Sequence, residues 1–119
     1  MRERGSASLV AAVITGIVLV AGMTVMTIAG IVSAGLHARA AADAAALAAV
    51  SPVVTDHVAA ARGVAALNRA TLVECRCPAT GSSPPFVAHV RVETRVRLPL
   101  FGSLTLPAEA SAEYSPAAW

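Results

Sequence analysis

Lysine is absent from this chain, and charge of either sign is scarce. All nine basic residues are arginine, seven residues are acidic, and charged side chains make up only 13% of the 119 residues. A soluble domain usually carries about 25%, so a chain that is also 56% hydrophobic is too apolar to be an ordinary soluble domain. The formal net charge of +2 is small, and the arginines of the outer part are spread evenly. That excludes the clustered basic footprint of a nucleic-acid binder. Arginine without lysine, in an alanine-dominated chain, fits a GC-rich coding sequence and makes the isoelectric point a poor functional guide.

Recognisable catalytic machinery is missing too. There is no glycine-rich phosphate loop and no zinc-protease signature. Cysteine is limited to Cys75 and Cys77, a C-x-C pair. With His89 the pair could begin a metal site, but a closed zinc site takes four ligands and the sequence offers no fourth. Outside the membrane, disulfide chemistry is the better expectation. Two residues apart in a strand, the Cα atoms stand near the upper limit for bridging, so a direct Cys75–Cys77 bond is expected to be strained. A bond to another subunit, or two buried thiols, are the favoured alternatives. His37, His57 and His89 fall at the membrane edge, on a helix and on an exposed strand face, and none has a serine, cysteine or carboxylate at a spacing that pairs with it. They read as solvated surface histidines. No enzyme, cofactor or metal site is expected.

The most informative absence is of charge within a single stretch. From Ser6 to Leu36 there is no ionisable side chain. The densest part, Leu9 to Ile31, spans about 35 Å as a helix, against a bilayer core of ~30 Å. A secretory signal has an apolar region of about 7 to 15 residues, roughly half this run. Cleavage at a small-x-small site such as Ala38-Arg39-Ala40 is therefore disfavoured against retention as a single transmembrane helix. Arg2 and Arg4 on one side, against Arg39 on the other, place the N-terminus in the cytoplasm and the remainder outside. Small-xxx-small spacings at Ala12/Gly16, Ala29/Ser33 and Gly30/Ala34 would permit close helix contact, although alanine-rich sequence makes such pairs by chance. Thr15, Thr24 and Thr27 can satisfy their hydroxyls on their own helix.

Beyond the membrane, "LHARAAADAAALAAV" is built of strong helix formers and carries the helix on to about Val50. Pro52 ends it, with Ser51 as a natural cap for the next segment. "VVTDHVAAARGVAALNRA" reads as a second helix, with Val54, Val58, Ala61 and Ala65 on its apolar side and Arg62 and Arg69 on another. The last third switches to a period of two. In "FVAHVRVETRVRL" the even positions from Phe86 to Leu98 are apolar or nearly so, and Arg91, Glu93, Arg95 and Arg97 lie opposite. "SLTLPAEASAEY" repeats the alternation, which makes an antiparallel hairpin. "LVECRC" supplies a third strand with Val73, Cys75 and Cys77 on one side, followed by the loop "PATGSSPP". A register centred on Gly102 sets Arg95 against Glu109, Arg91 against Glu113 and Glu93 against Ser111, and keeps like charges apart. The fold expected is α+β: a basic leader 1–5, a transmembrane helix 6–36 that continues outward, and an outer domain 37–119 of one short helix on a small antiparallel sheet of about three strands.

"RERGSASLVAAV" running into a long apolar helix, followed by "ARAAADAAALAAV", resembles the N-terminal region of TadE/TadG-like proteins of tight-adherence (Flp-type) pilus systems. It is most similar to the short actinobacterial TadE-like group of the helicase/secretion neighbourhood. The likeness extends more loosely through "VAAARGVAALNRATLVEC" and the terminal strands. The resemblance implies a pilin-like fold and a minor pilin or pseudopilin, held in membrane lipid and associating with other pilin subunits through its N-terminal helix. It also implies a prepilin peptidase that removes the leader between Gly5 and Ser6. Two positions depart from the pattern. Many pilins have glutamate as the fifth residue after the cut, where this chain has Val10, and relatives tend to carry a cysteine early in the second helix, where "VVTDHVAAARG" has none.

Overall fold

The structure is a computed structural model that describes residues 2–117, with side chains from residue 4 onward. Met1 and the side chains of Arg2 and Glu3, part of the expected leader, lie outside the described residues. The architecture is α+β, as the alternating periods predict. Helix α1 spans Arg2–Ala49, α2 spans His57–Leu67, and strands β1 (Thr71–Arg76), β2 (Phe86–Leu98) and β3 (Gly102–Tyr114) form one antiparallel meander with β2 in the middle.

Unbroken from the leader to the residue before Val50, α1 has two kinds of surface. Its inner part is open, with Leu9, Ile17, Val18 and Met26 all more than half exposed. Its C-terminal part, called outer below for its distance from the apolar run, is buried along one side at Ala38, Ala41, Ala42, Ala45, Ala46 and Ala49. These fall at three- and four-residue intervals, one stripe of a 3.6-period helix. They pack against β2, β3 and α2. Apart from Val50, Phe86, Val90 and Val92, the buried apolar core of the described residues is alanine. Methyl side chains let the helix backbone approach the sheet closely, and the larger residues of β2 fill what remains.

The second helix is shorter than expected and starts later. Pro52 and the β-branched Val53, Val54 and Thr55 do not continue a helix. The cap is Asp56 and not Ser51: its backbone is extended (φ −108°, ψ 96°) and its carboxylate accepts from the Ala59 N–H at 3.0 Å. At the other end Arg69 takes a left-handed conformation, φ 57°. The Arg69 N–H donates to the Ala66 carbonyl and the Ala70 N–H to that of Ala65, the paired bonds of a Schellman ending. The buried side of α2 is His57, Ala61 and Ala65. Ala61 and Ala65 are the expected ones, but the line begins at His57 and leaves Val58 exposed.

On β2 the expected faces hold, since Phe86, Ala88, Val90, Val92 and Thr94 are buried while His89 and Arg95 are exposed. The β1 face differs. Its pairing with β2 shifts between Leu72, opposite Val92, and Glu74, opposite Arg91, so Val73 is an extra residue. This bulge turns Val73 outward and puts Leu72 with Cys75 and Cys77 against the core. A strict alternation cannot anticipate such an insertion.

The β2–β3 register also differs from the expected one. The strands pair about Leu100 rather than Gly102, a slip of four residues: Arg91 lies opposite Glu109, Glu93 opposite Pro107, and Val92 opposite Ala108. The slip is even, so every side chain keeps its face. The turn explains the choice. With the observed pairing Pro99 occupies the connection, where its fixed φ suits a corner and its missing N–H costs no ladder bond. Gly102, at φ 80°, closes the turn in the backbone region that glycine favours. Centring on Gly102 would have put Pro99 inside the ladder.

Candidate functional site

The feature with the clearest functional content is the open part of α1. Over Arg4–Ala49 the helix contains an 18-residue stretch of mean hydropathy 2.5, none of it buried within the molecule. A buried helix of a soluble protein would meet the same length and composition but would be covered by its own fold. This one is long and apolar enough to cross a bilayer. Its threonines need no partner, because Thr15, Thr24 and Thr27 donate to the carbonyls of Ala11, Val20 and Met23 at 2.8, 2.9 and 2.9 Å.

Gly5 and Ser6, the expected processing site, lie on the first turns of α1 and are exposed. A methyl group built on Gly5 would meet nothing within 4 Å. The first helical N–H groups have no intrahelical partner. Val10 is exposed within the apolar stretch. Two of the three small-residue spacings are open, since Ala12, Gly16, Ala29 and Ser33 are exposed, and Ala29 and Ser33 sit in a shallow apolar groove with Val25, Ile28, Val32 and Leu36; in the third, Gly30 is exposed but Ala34 is partly covered.

Cys75 and Cys77 are brought together, sulfur to sulfur, with Cα atoms 5.3 Å apart. The expected alternatives were a bond to another subunit or two separate buried thiols. The difference has a local cause: β1 ends at Arg76, so Cys77 leaves the extended path and the Cα separation falls within the usual bridging range of about 4.4 to 6.8 Å. Among the described residues no group of three or more histidine, cysteine or acidic side chains is placed to hold a metal ion.

The histidines occupy three different environments. His37 Nε2 donates to the Asn68 carbonyl at 2.7 Å and ties α1 to the end of α2. His57 is buried, in place of the solvated position expected, with its ring 4.9 Å from that of Phe86 and its Nδ1 without a hydrogen-bond partner. Asp56 caps the helix one residue earlier, which aims the first α2 side chain at the sheet. His89 is exposed as expected, but its Nδ1 is hydrogen-bonded to the Ser111 hydroxyl.

Spacing in the sequence does not reveal that serine–histidine pair, because it exists only in the observed register, which sets His89 opposite Ser111. It belongs to a polar cluster on the wet face of the sheet with Glu74, Arg76, Arg91 and Glu109. Arg76 pairs with Glu74 at 3.3 Å, and Arg91 lies 3.9 Å from Glu109. The second contact is an ion pair too long to be a hydrogen bond, so the Arg91 Nε has no such partner. Among the described residues no carboxylate is hydrogen-bonded to His89.

No family model, curated protein or solved structure matches this chain. The class that fold and site define is an α+β protein with one long apolar helix near its N-terminus, able to span a membrane, and a small helix-and-sheet domain built on the C-terminal end of that helix.

Proposed function

We propose that the chain is a membrane-anchored structural subunit, a minor pilin or pseudopilin of a Flp/Tad-type pilus or related secretion assembly, and not an enzyme. Its short N-terminus is cytoplasmic and its C-terminal domain extracytoplasmic. The observation that carries this reading is the continuity of α1, a single helix with an uncovered apolar stretch at one end and an alanine stripe that is the spine of the outer domain at the other. Such a helix can be held in lipid before assembly and packed against its copies afterwards, with no rearrangement of the domain it carries. The basic leader and Gly5 supply the matching processing signal.

Mass spectrometry of the mature N-terminus tests the reading. A start at Ser6, lost in Gly5→Phe and replaced by a product longer by the residues Met1–Gly5, is the expected result. The open space around Gly5 means that this substitution leaves the fold alone. Because such a peptidase works at the cytoplasmic face, a Ser6 start also reports the orientation. A start that ignores Gly5→Phe removes the prepilin reading. It would leave a single-pass, membrane-tethered interaction module unrelated to pili, the reading that Val10 favours because the apolar stretch then carries no acidic side chain.

A further inference from the structure

The β2–β3 hairpin does not point away from the apolar helix but runs back along it. About midway along it, Arg91, Pro107 and Glu109 lie beside Gly35 and Arg39 of α1. At its tip, Leu100 and Phe101 form one wall of an apolar crevice whose other wall is Val20, Met23, Thr24 and Ile28. The tip is thus level with the middle of the uncharged run. Its two large apolar side chains are not covered by the helix: Leu100 is 81% and Phe101 73% exposed. A turn facing water is usually made of polar residues, and this one is Pro-Leu-Phe.

Charge follows the same geometry. Between Thr94 and Leu106 the only ionisable residues are Arg95 and Arg97, both exposed. Across β3 they face Thr105 and Ser103, so no carboxylate opposes them. The hairpin end is therefore an apolar tip with a purely cationic collar a few residues behind it.

We propose that the Pro99–Phe101 tip is a second membrane contact, seated in the outer leaflet beside α1, with Arg95 and Arg97 directed at anionic lipid phosphates. This rests on α1 crossing the bilayer. The helix length supports it. A hydrocarbon core of about 30 Å takes roughly 20 helical residues, which Ser6 to Val25 supply. The uncharged run continues to Leu36, and along that excess Thr27, Ile31, Ala34 and Gly35 become partly covered. The tip then lies at the outer boundary of the hydrocarbon, at a depth of about 5 to 10 Å typical of interfacial apolar anchors. The arginines lie at headgroup level, where long basic side chains meet anionic lipid. Two contacts instead of one fix the rotation of the domain about the helix axis, which a lone helix leaves free.

Depth-dependent fluorescence quenching tests this on the full chain, reconstituted in phosphatidylcholine–phosphatidylglycerol vesicles that carry brominated lipid. With Trp119→Phe as background, single tryptophans are placed by Phe101→Trp at the tip, Val18→Trp in the span and Ser82→Trp in the far loop. All three positions are exposed. The expected result is that shallow bromines remove about half of the Phe101→Trp emission, a depth consistent with interfacial seating, while Ser82→Trp is little affected and Val18→Trp is quenched by deep bromines. If Val18→Trp is quenched and Phe101→Trp behaves like Ser82→Trp, the tip contact is overturned and the span stands. If Val18→Trp is not quenched, the membrane reading fails and the proposal with it. Quenching at Phe101→Trp that disappears on diluting the protein in lipid would mean that the tip reaches lipid only when a second copy holds it there, which also overturns it.

Discussion

The two parts of α1 share one backbone and no surface chemistry. The inner part is crowded with Leu, Ile, Val and Met, and these side chains are exposed. The outer part is mostly alanine, and its alanines at 41, 42, 45 and 49 are completely buried. Judged by hydrophobicity alone, the order of burial is inverted. If α1 crosses a bilayer as proposed, the difference teaches that its large apolar side chains suit a fluid solvent that adapts to any shape. Small ones mark where another backbone must come close. Lipid tails flow around a leucine, whereas a β-sheet at fixed distance accepts only a methyl group.

The contrast breaks most readily if charge is placed in each part. Val18→Asp puts a carboxylate at the helix centre, at a cost to insertion of about 2.5 to 3.5 kcal/mol, whereas Ala40→Asp adds one to an exposed position in the stretch that already carries Arg39 and Asp43. Resistance of the membrane-bound fraction to alkaline extraction should fall for Val18→Asp alone. Equal behaviour of the two variants would mean that the open stretch is not held in lipid.

Side-chain size gives the next largest effect and reverses the ranking. Ala45→Leu forces three extra carbons between α1 and the sheet, with an expected loss of about 1 to 3 kcal/mol from overpacking. The same change at Ala11, in the exposed part, should leave the melting of the detergent-solubilised protein within error. An unaltered melt for Ala45→Leu would show that helix and sheet can separate at little cost, and the distinction between the parts would weaken.

A smaller effect sharpens the comparison by acting on the outer part through its partner. Asp56→Ala removes the oxygen that accepts from Ala59 and should cost about 1 kcal/mol. Because α2 packs on the outer end of α1 and not on its open stretch, limited proteolysis should become faster within residues 51–70. The protection of the open apolar stretch in lipid vesicles should not change. Loss of protection in both would mean that the two parts unfold as one unit.

Most of the architecture is legible in the sequence, because it depends on interactions between near neighbours. The uncharged run, the alanine tract that carries the helix on, the stop at Pro52 and the switch to a period of two in β2 and β3 each depend on residues within a few positions of one another. The resemblance to TadE/TadG-like pilins rests on the same local features, and nothing in the fold adds to it or subtracts from it. The expected processing site is equally local, a glycine behind two arginines.

What the chain by itself determined, then, was which segments are helix or strand and which face of β2 and β3 is greasy, since backbone propensity and hydrophobic period are local properties. Only the tertiary structure decided the rest. With Pro99 in the connection the turn falls at Leu100, four residues in register from the pairing about Gly102 that charge had favoured, and parity could not tell the two apart because an even slip preserves both faces. The insertion at Val73 reoriented β1, and the Asp56 cap sent His57 into the core beside Phe86. The same register set His89 against Ser111 and carried Leu100 and Phe101 back to Val20 and Ile28, some eighty residues earlier in the chain. Such contacts are fixed by how whole elements pack, and their energies belong to pairs of residues that no short window of sequence contains.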